Sequence, residues 1–292
     1  MRINTNISSM TAQESGTANN NSLSSSLEKL SSGLRVNKAS DDASGLAIAD
    51  KLRTQKNSIG QSIDNANSAV ALLQIADKAM AEQSIILDIV KTKLVQASTA
   101  TTSDDGRKSI AKDIHKLLTE LDGIAEQTNY NGGTLLQESI SSQEAASALE
   151  FQIGETSGDI IETNGSIQSN TLGLAKSSPT DDLADLKSDT SGDGSGLSKD
   201  RSSSYLAIID LALNDLNTMR SDFGSTQIQV ESSTRNLLTT KTNIAAAESV
   251  IRDVDYSEES AHLKQLNIIG QASMYAQSQA NARPESILKL LI

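Results

Sequence analysis

The chain has 292 residues, a formal net charge of −12 and no cysteine. The acidic balance argues against a surface built to meet nucleic-acid phosphates, and the missing thiols exclude disulfides, cysteine nucleophiles and Cys-ligated zinc. Aromatic residues are 2% of the chain and prolines number two, so any core rests on aliphatic side chains along thin seams, in helices free to run long.

The opening segment, MRINTNISSMTAQESG, carries one Arg and no apolar core, which does not match a cleaved secretory signal. No run of about 18 apolar residues marks a membrane span. Leu23, Leu27, Leu30 and Leu34 then alternate in steps of four and three, predicting a helix with a coiled-coil seam. LSSGLRVNKASDDASGLAIADKLR (30–53) interrupts it. Gly33 is placed to close the first helix in a left-handed cap, and Asp41 and Asp42 to open the next one. Beyond, Leu52, Ile59, Ala66, Leu73, Met80, Leu87 and Leu94 fall every seven residues, with Ile63, Val70 and Val90 widening the stripe. This predicts one helix over 44–99, roughly 80 Å long at a rise of about 1.5 Å per residue.

TATTSDDGRK (99–108) reads as a loop in which Asp104 or Asp105 caps a helix carrying Ile110, Ile114, Leu117, Leu118, Leu121 and Ile124. NYNGG (129–133) stops that helix with turn residues. Residues 149–174 hold short β-like runs broken by Ser157-Gly158 and Asn164-Gly165, and Asn-Gly between such runs signals a hairpin. From Lys176 to Ser204 the Ser-, Asp- and Gly-rich chain shows no period and reads as a surface loop. Ile209, Leu216, Phe223, Val230, Leu237, Ile244 and Ile251 again fall every seven residues, predicting one helix whose phase survives Gly224. RDVDYSEES (252–260) mirrors the first interruption. A last amphipathic helix carries Leu263, Leu266, Ile269, Ala276 and Ala280, until Pro284 breaks or kinks it before SILKLLI. The predicted class is mainly α: a long antiparallel helical coiled-coil or bundle rod with a small β-hairpin region in the middle of the chain.

Chemistry finds little purchase in these residues. His115 and His262 lack any triad or His-Glu-x-x-His frame and read as solvated helix positions. DTSGDGSGLSKD (189–200) places Asp189, Ser191, Asp193, Gly194 and Asp200 at calcium-loop positions, but Gly196 stands where an apolar residue belongs and Asp200 is shorter than the usual Glu. A flexible loop is the better reading, and helix capping is the better reading of Asp41-Asp42 than metal binding. The expectation is a non-enzyme with no catalytic, cofactor or metal residues.

Several long stretches, in order, resemble bacterial flagellin: MRINTNISSM, LSSGLRVNKASDDASGLAIADKLR, EQTNYNGGTLL, FQIG, LGL, ESVIRDVDYSEESAHLKQLNIIGQASMYAQSQAN and ILKLLI. The resemblance covers both halves, all but roughly residues 139–148 and 175–200. It implies an extracellular subunit that polymerises with itself into the helical flagellar filament for motility. It also implies export unfolded through the flagellar type III apparatus with a chaperone, and contacts with hook-associated and cap proteins. By this likeness residues 1–40 and 256–292 form the filament's inner core. Residues 41–174 and 201–255 form the outer core, with a hairpin near 149–174, and 175–200 is a flexible surface loop in place of large variable domains.

Inter-subunit and joint residues are then Leu23, Leu27, Leu30, Leu34, Arg35, Asp41, Asp42, Leu263, Leu266 and Leu291. LRVNKAS is expected to be extended against adjoining subunits, with Arg35 and Lys38 offering charge partners. Ile89, Lys91, Lys93 and Asp113 fall where receptor-recognised flagellins carry an Arg-Val-Arg-Glu-Leu-type stretch and a following Glu. Ile in place of Arg and Lys in place of Leu imply poor binding to the innate flagellin receptor. Ser and Thr between 139 and 205 are candidates for O-linked sugars. A hook–filament junction protein is the alternative within this class, and a coiled-coil signalling module the alternative outside it.

Overall fold

The computed structural model describes residues 5–138, 145–163, 165, 167–176, 182–192 and 196–291, the last nine by backbone alone. Three helices, α1 (Ile7–Ser32), α2 (Ala43–Ser98) and α3 (Asp104–Gln127), precede the short strands β1 (Asn129–Tyr130), β2 (Gly133–Thr134), β3 (Glu150–Gln152) and β4 (Ile160–Glu162). Then come α4 (Leu183–Asp189), α5 (Lys199–Arg252) and α6 (Tyr256–Leu291). Two compact units divide the chain, Met1–Asn57 with Thr240–Ile292, and Ser58–Thr239.

The core lies in the second unit. The heptad positions Ile59, Ala66, Leu73, Met80, Leu87 and Leu94 of α2 are all buried. Leu73, Met80, Leu87 and Leu94 share one core cluster with Ile114, Leu118 and Leu121 of α3 and Tyr205, Ile209, Leu216 and Phe223 of α5, and Ala66 belongs to a smaller one with Val230. Ion pairs show that α2 and α5 run antiparallel here: Asp77 meets Arg220 at 3.0 Å, and 14 residues further along α2, Lys91 meets Asp210 at 2.5 Å, ten residues back along α5. Gly224 does not interrupt α5, since a single glycine costs only about 1 kcal/mol against many packed turns.

Ser103, not either aspartate, caps α3, accepting the Gly106 N–H at 3.2 Å; Asp104 and Asp105 lie in the first turn, where the helix dipole favours them. The NYNGG segment does more than stop α3. Asn131 and Gly132 have φ of 52° and 85° and join β1 to β2 in a two-residue turn that both residue types tolerate. The second hairpin pairs Phe151 with Ile161, and its turn runs through Ser157-Gly158. The expected Asn164-Gly165 signal lies after β4, with Asn164 outside the described residues. Ile153 and Ile161 pack onto Ala66, Ala69 and Val230. Asp159 holds the turn by accepting the Thr156 hydroxyl at 2.7 Å and its N–H at 3.0 Å, which lowers its pKa.

The segment expected to be a loop over 175–200 contains α4, with Leu183, Leu186 and Leu197 buried in the main core. Lys187 bonds the buried Asp122, which also accepts the Thr171 N–H at 2.7 Å and hydroxyl at 2.8 Å. His115 is half-buried, not solvated, with Nδ1 3.1 Å from the Lys187 carbonyl. Asp189 accepts from Tyr205 and pairs with Arg201 at 2.6 Å, so it is occupied in a structural contact. Asp193 and Gly194 of the calcium-like motif lie outside the described residues, and Asp200 lies in the first turn of α5. Pro284 does not end α6, which runs to Leu291; a missing N–H removes one helix bond without requiring the helix to stop.

Candidate functional site

The first unit has little interior. Among its described apolar residues only Val36, Ala49 and Leu266 are buried. Exposed instead are Ile7, Met10, Leu27, Ile48, Val250, Tyr256, Ile268, Ile269, Met274 and Tyr275, with Ile7 at 68% and Tyr275 at 75%.

Two reciprocal caps build the joint between the helices. Gly33 closes α1 with φ of 73°, its N–H donating to the Lys29 carbonyl, and a side chain there would come within 3.2 Å of the Tyr256 hydroxyl. That hydroxyl donates to the Leu30 carbonyl at 3.1 Å, so the start of α6 satisfies the end of α1. In return Arg35 donates from Nη2 to the carbonyls of Ile251 at 2.8 Å and Val250 at 3.3 Å, placing a cation at the negative end of α5. Leu34 bridges Asp253; the Arg35 N–H donates to Arg252 at 2.6 Å and the Val254 N–H to Gly33 at 3.0 Å. Leu34 and Arg35 of this stretch are thus paired within their own chain, because the two helix ends offer unsatisfied carbonyls at hand.

Lys38 pairs with Glu28 at 2.6 Å, which raises its pKa. Asp42 opens α2, accepting the Gly45 N–H at 2.9 Å. Asp41 does not. It accepts the N–H groups of Lys38 at 3.0 Å and Asn37 at 3.1 Å inside the joint, and these two bonds lower its pKa.

The α1–α6 pair is antiparallel and held by polar groups. Asn6 donates to the Ala280 carbonyl at 2.9 Å, Asn19 to the Leu266 carbonyl at 3.1 Å, and Ser26 bonds the Glu259 carboxylate. The less exposed positions of α1 recur in steps of four and three: Ala12, Gly16, Asn19, Leu23, Ser26 and Leu30. On α6 they are Leu263, Leu266, Gly270, Ser273, Gln277 and Ala280. Both are coiled-coil seams, but mostly of small and polar residues. The expected leucine seam is therefore split. Leu23 and Leu30 lie on it, Leu34 is in the bridge, and Leu27 points outward at 51% exposure. Leu291 belongs to α6, its side chain outside the described residues. Asn19, Gly270 and Tyr256 were not among the expected residues; the available signal was Gly16, Gly270 and the consecutive Asn19, Asn20 and Asn21 in otherwise helical stretches.

In the second unit Ile89 is exposed, Lys91 pairs with Asp210, and Lys93 with Asp113 at 2.9 Å. No helix of the described residues is long and apolar enough to cross a membrane, and no group of three or more metal-ligating side chains forms among them.

Residues 3–141 match the family model for the bacterial flagellin N-terminal helical region, and 206–291 that for the C-terminal helical region. The chain is 34% identical over 306 aligned residues to the flagellin of Bacillus subtilis (strain 168), with 100% of both chains covered. It is 50% identical over 173 residues to flagellin B of Helicobacter pylori (strain J99), covering 59% of this chain and 32% of that one. It thus spans about a third of the Helicobacter relative's length. A solved structure from Vibrio parahaemolyticus, described as a flagellar hook-associated protein, is similar in fold, with a TM-score of 0.57 at 11% identity over 73% of this chain and 99% of that one.

Proposed function

The chain belongs to the bacterial flagellin family, and on that premise we propose that it is a structural subunit that polymerises with itself into a helical flagellar filament outside the cell. One observation carries this reading: α1 and α6 turn small and polar residues toward each other and Ile7, Met10, Leu27, Ile268 and Met274 toward solvent. Full burial of each is worth about 1.5–3 kcal/mol, so even half-coverage by neighbours supplies roughly 5 kcal/mol per subunit. A contact that joins one patch to a different patch on the next copy extends as an open helix when its rotation does not close a ring.

Export unfolded through the flagellar type III apparatus, with a chaperone on the α6 segment, is part of the same proposal, as are contacts with hook-associated and cap proteins. Ser and Thr between 139 and 205 are proposed as O-glycan acceptors, checked by the intact mass of native filament protein. Recognition by the innate flagellin receptor is proposed to be poor. Ile89 supplies no guanidinium, and Lys93 is engaged with Asp113 where an apolar contact is needed.

The decisive experiment is electron microscopy of purified protein under polymerising conditions. Micrometre filaments support the filament subunit; short caps on hook ends with no self-polymerisation would instead identify a hook–filament junction protein. Loss of polymerisation on removing residues 1–32, with the second unit still folded, is expected.

A further inference from the structure

The β3–β4 hairpin has two unlike faces. Phe151, Ile153 and Ile161 pack into the smaller core cluster, while the alternate positions Glu150, Gln152, Ile160 and Glu162 are exposed, Ile160 at 41%. The strand register sets Glu150 directly opposite Glu162. Like charges opposed in this way weaken the hairpin that carries them. Other carboxylates of the same unit find cations, as Asp210 finds Lys91 and Asp77 finds Arg220. Among the described residues Glu150 and Glu162 find none, so folding of the single chain leaves their repulsion in place.

The complementary feature lies on α3. Lys112 and Lys116 stand one turn apart, both exposed, and form no ion pair among the described residues. Their neighbours do: Lys108 meets Asp105 at 3.6 Å, and Asp113 meets Lys93 at 2.9 Å. Glu120, a turn beyond Lys116, pairs with neither lysine. The spacings match. Cβ atoms of directly opposed strand residues lie about 4.5–5.5 Å apart, and those of helix positions i and i+4 about 5–6 Å apart. Two lysines on one helix face can therefore meet the two glutamates at the same time, with the methylene stem of a lysine laid over Ile160.

We propose that the outer face of the β3–β4 hairpin is the docking surface for α3 of a second copy of this chain, with Glu150 and Glu162 of one subunit paired to Lys112 and Lys116 of the next. The two patches are different surfaces of one molecule, so every subunit offers both and the contact repeats from copy to copy. In a chain of net charge −12, bringing two unpaired cations to a repelling acidic pair turns like-charge opposition into attraction at that point. The proposal rests on the filament reading.

Charge exchange tests it. One variant carries Glu150→Lys and Glu162→Lys, a second Lys112→Glu and Lys116→Glu, and a third all four substitutions. The first keeps two like charges opposed across the strands, so hairpin folding should change little, and the melting of the 58–239 unit checks folding in every variant. Each two-site variant should raise the critical concentration for seeded polymerisation at least about fivefold at low salt, because two exposed ion pairs become two repulsions. The four-site variant, and an equimolar mixture of the two two-site variants, should polymerise near the parent's critical concentration, since each again sets opposite charges across the contact. The differences should shrink in about 1 M salt, where the screening length falls to about 3 Å. Critical concentrations within twofold of the parent's for both two-site variants overturn the proposal, and so does a loss that neither the exchange nor the mixture repairs. A loss confined to one of the two-site variants gives that patch a different occupant, a dissolved ion or another protein, and overturns it as well. Failure of the parent to form filaments overturns the filament reading instead, so the two failures are distinct.

Discussion

Replacing Arg35 by alanine isolates the energetic role of the joint. The substitution removes bonds of 2.8 and 3.3 Å from the guanidinium to the Ile251 and Val250 carbonyls. It leaves in place the backbone bonds from Arg35 to Arg252 and from Val254 to Gly33. A charged donor to a carbonyl contributes about 1.5–3 kcal/mol in sheltered settings, but Arg35 is exposed and water can replace it, so about 1 kcal/mol applies. The cation at the helix C-terminus adds roughly 0.5 kcal/mol. The total of about 1.5 kcal/mol corresponds to about a tenfold change in an equilibrium constant. Assembly requires the joint to be formed, so the critical concentration for seeded polymerisation should rise about tenfold. Arg35→Lys keeps the charge without the fork and should fall between, at about two- to fourfold. The melting of the 58–239 unit should not move, since its core holds no residue of the joint. A critical concentration for Arg35→Ala within twofold of the parent would refute the capping argument.

Lys187→Met leaves the Asp122 carboxylate buried with only Thr171 as donor. Because Lys187 is partly solvated, the loss should be up to about 3 kcal/mol, read as a lower denaturation midpoint, with Asp122→Asn added to Lys187→Met recovering part of it. Asp41 has its pKa lowered by two backbone N–H groups, so its contribution is complete above the ordinary value of 3.8 and is lost as pH falls through the lower folded value. The Asn37 and Lys38 amide signals should therefore titrate with a midpoint below 3.8, and a midpoint at or above it would contradict the geometry. Ile89→Arg with Lys93→Leu should raise activation of receptor-bearing reporter cells at least tenfold, at the cost of only a surface ion pair worth about 1 kcal/mol or less; equal potency of parent and variant would show that these positions do not limit recognition.

The heptads of α2 and α5 were legible because a seven-residue apolar repeat admits few structures other than a packed long helix. What periodicity does not carry is how deeply a stripe is covered. Ile209, Leu216, Phe223 and Val230 are buried, while Leu237, Ile244 and Ile251 continue the same repeat only half-buried. The α4 segment was missed because seven residues are too few to show a period, and its anchor Asp122 lies 65 residues from Lys187. At Asn131-Gly132 the signal was present, but the flanking strands are two residues each, too short to alternate. Gly33 and Asp42 were readable as caps because their chemistry is local. The partners of Arg35 and Tyr256 were not, since each satisfies a helix end more than 200 residues away.

The inverted character of the α1–α6 pair bears on how a subunit can be both exportable and assembly-competent. Had α1 and α6 packed leucine on leucine, each chain would have satisfied its apolar surface alone, leaving little free energy for neighbours. With Asn19, Ser26, Gly16 and Gly270 on the seams, the intramolecular pair gains direction while the side chains with the largest transfer energy face outward. Such a surface also risks indiscriminate association, which the chain's net charge of −12 opposes by repelling copies at long range. Between residues 15 and 27 of α1 and between 265 and 282 of α6 there is no Lys, Arg, Asp or Glu. At contact, therefore, these segments meet a neighbour without like-charge opposition, and shape, register and apolar coverage decide the fit.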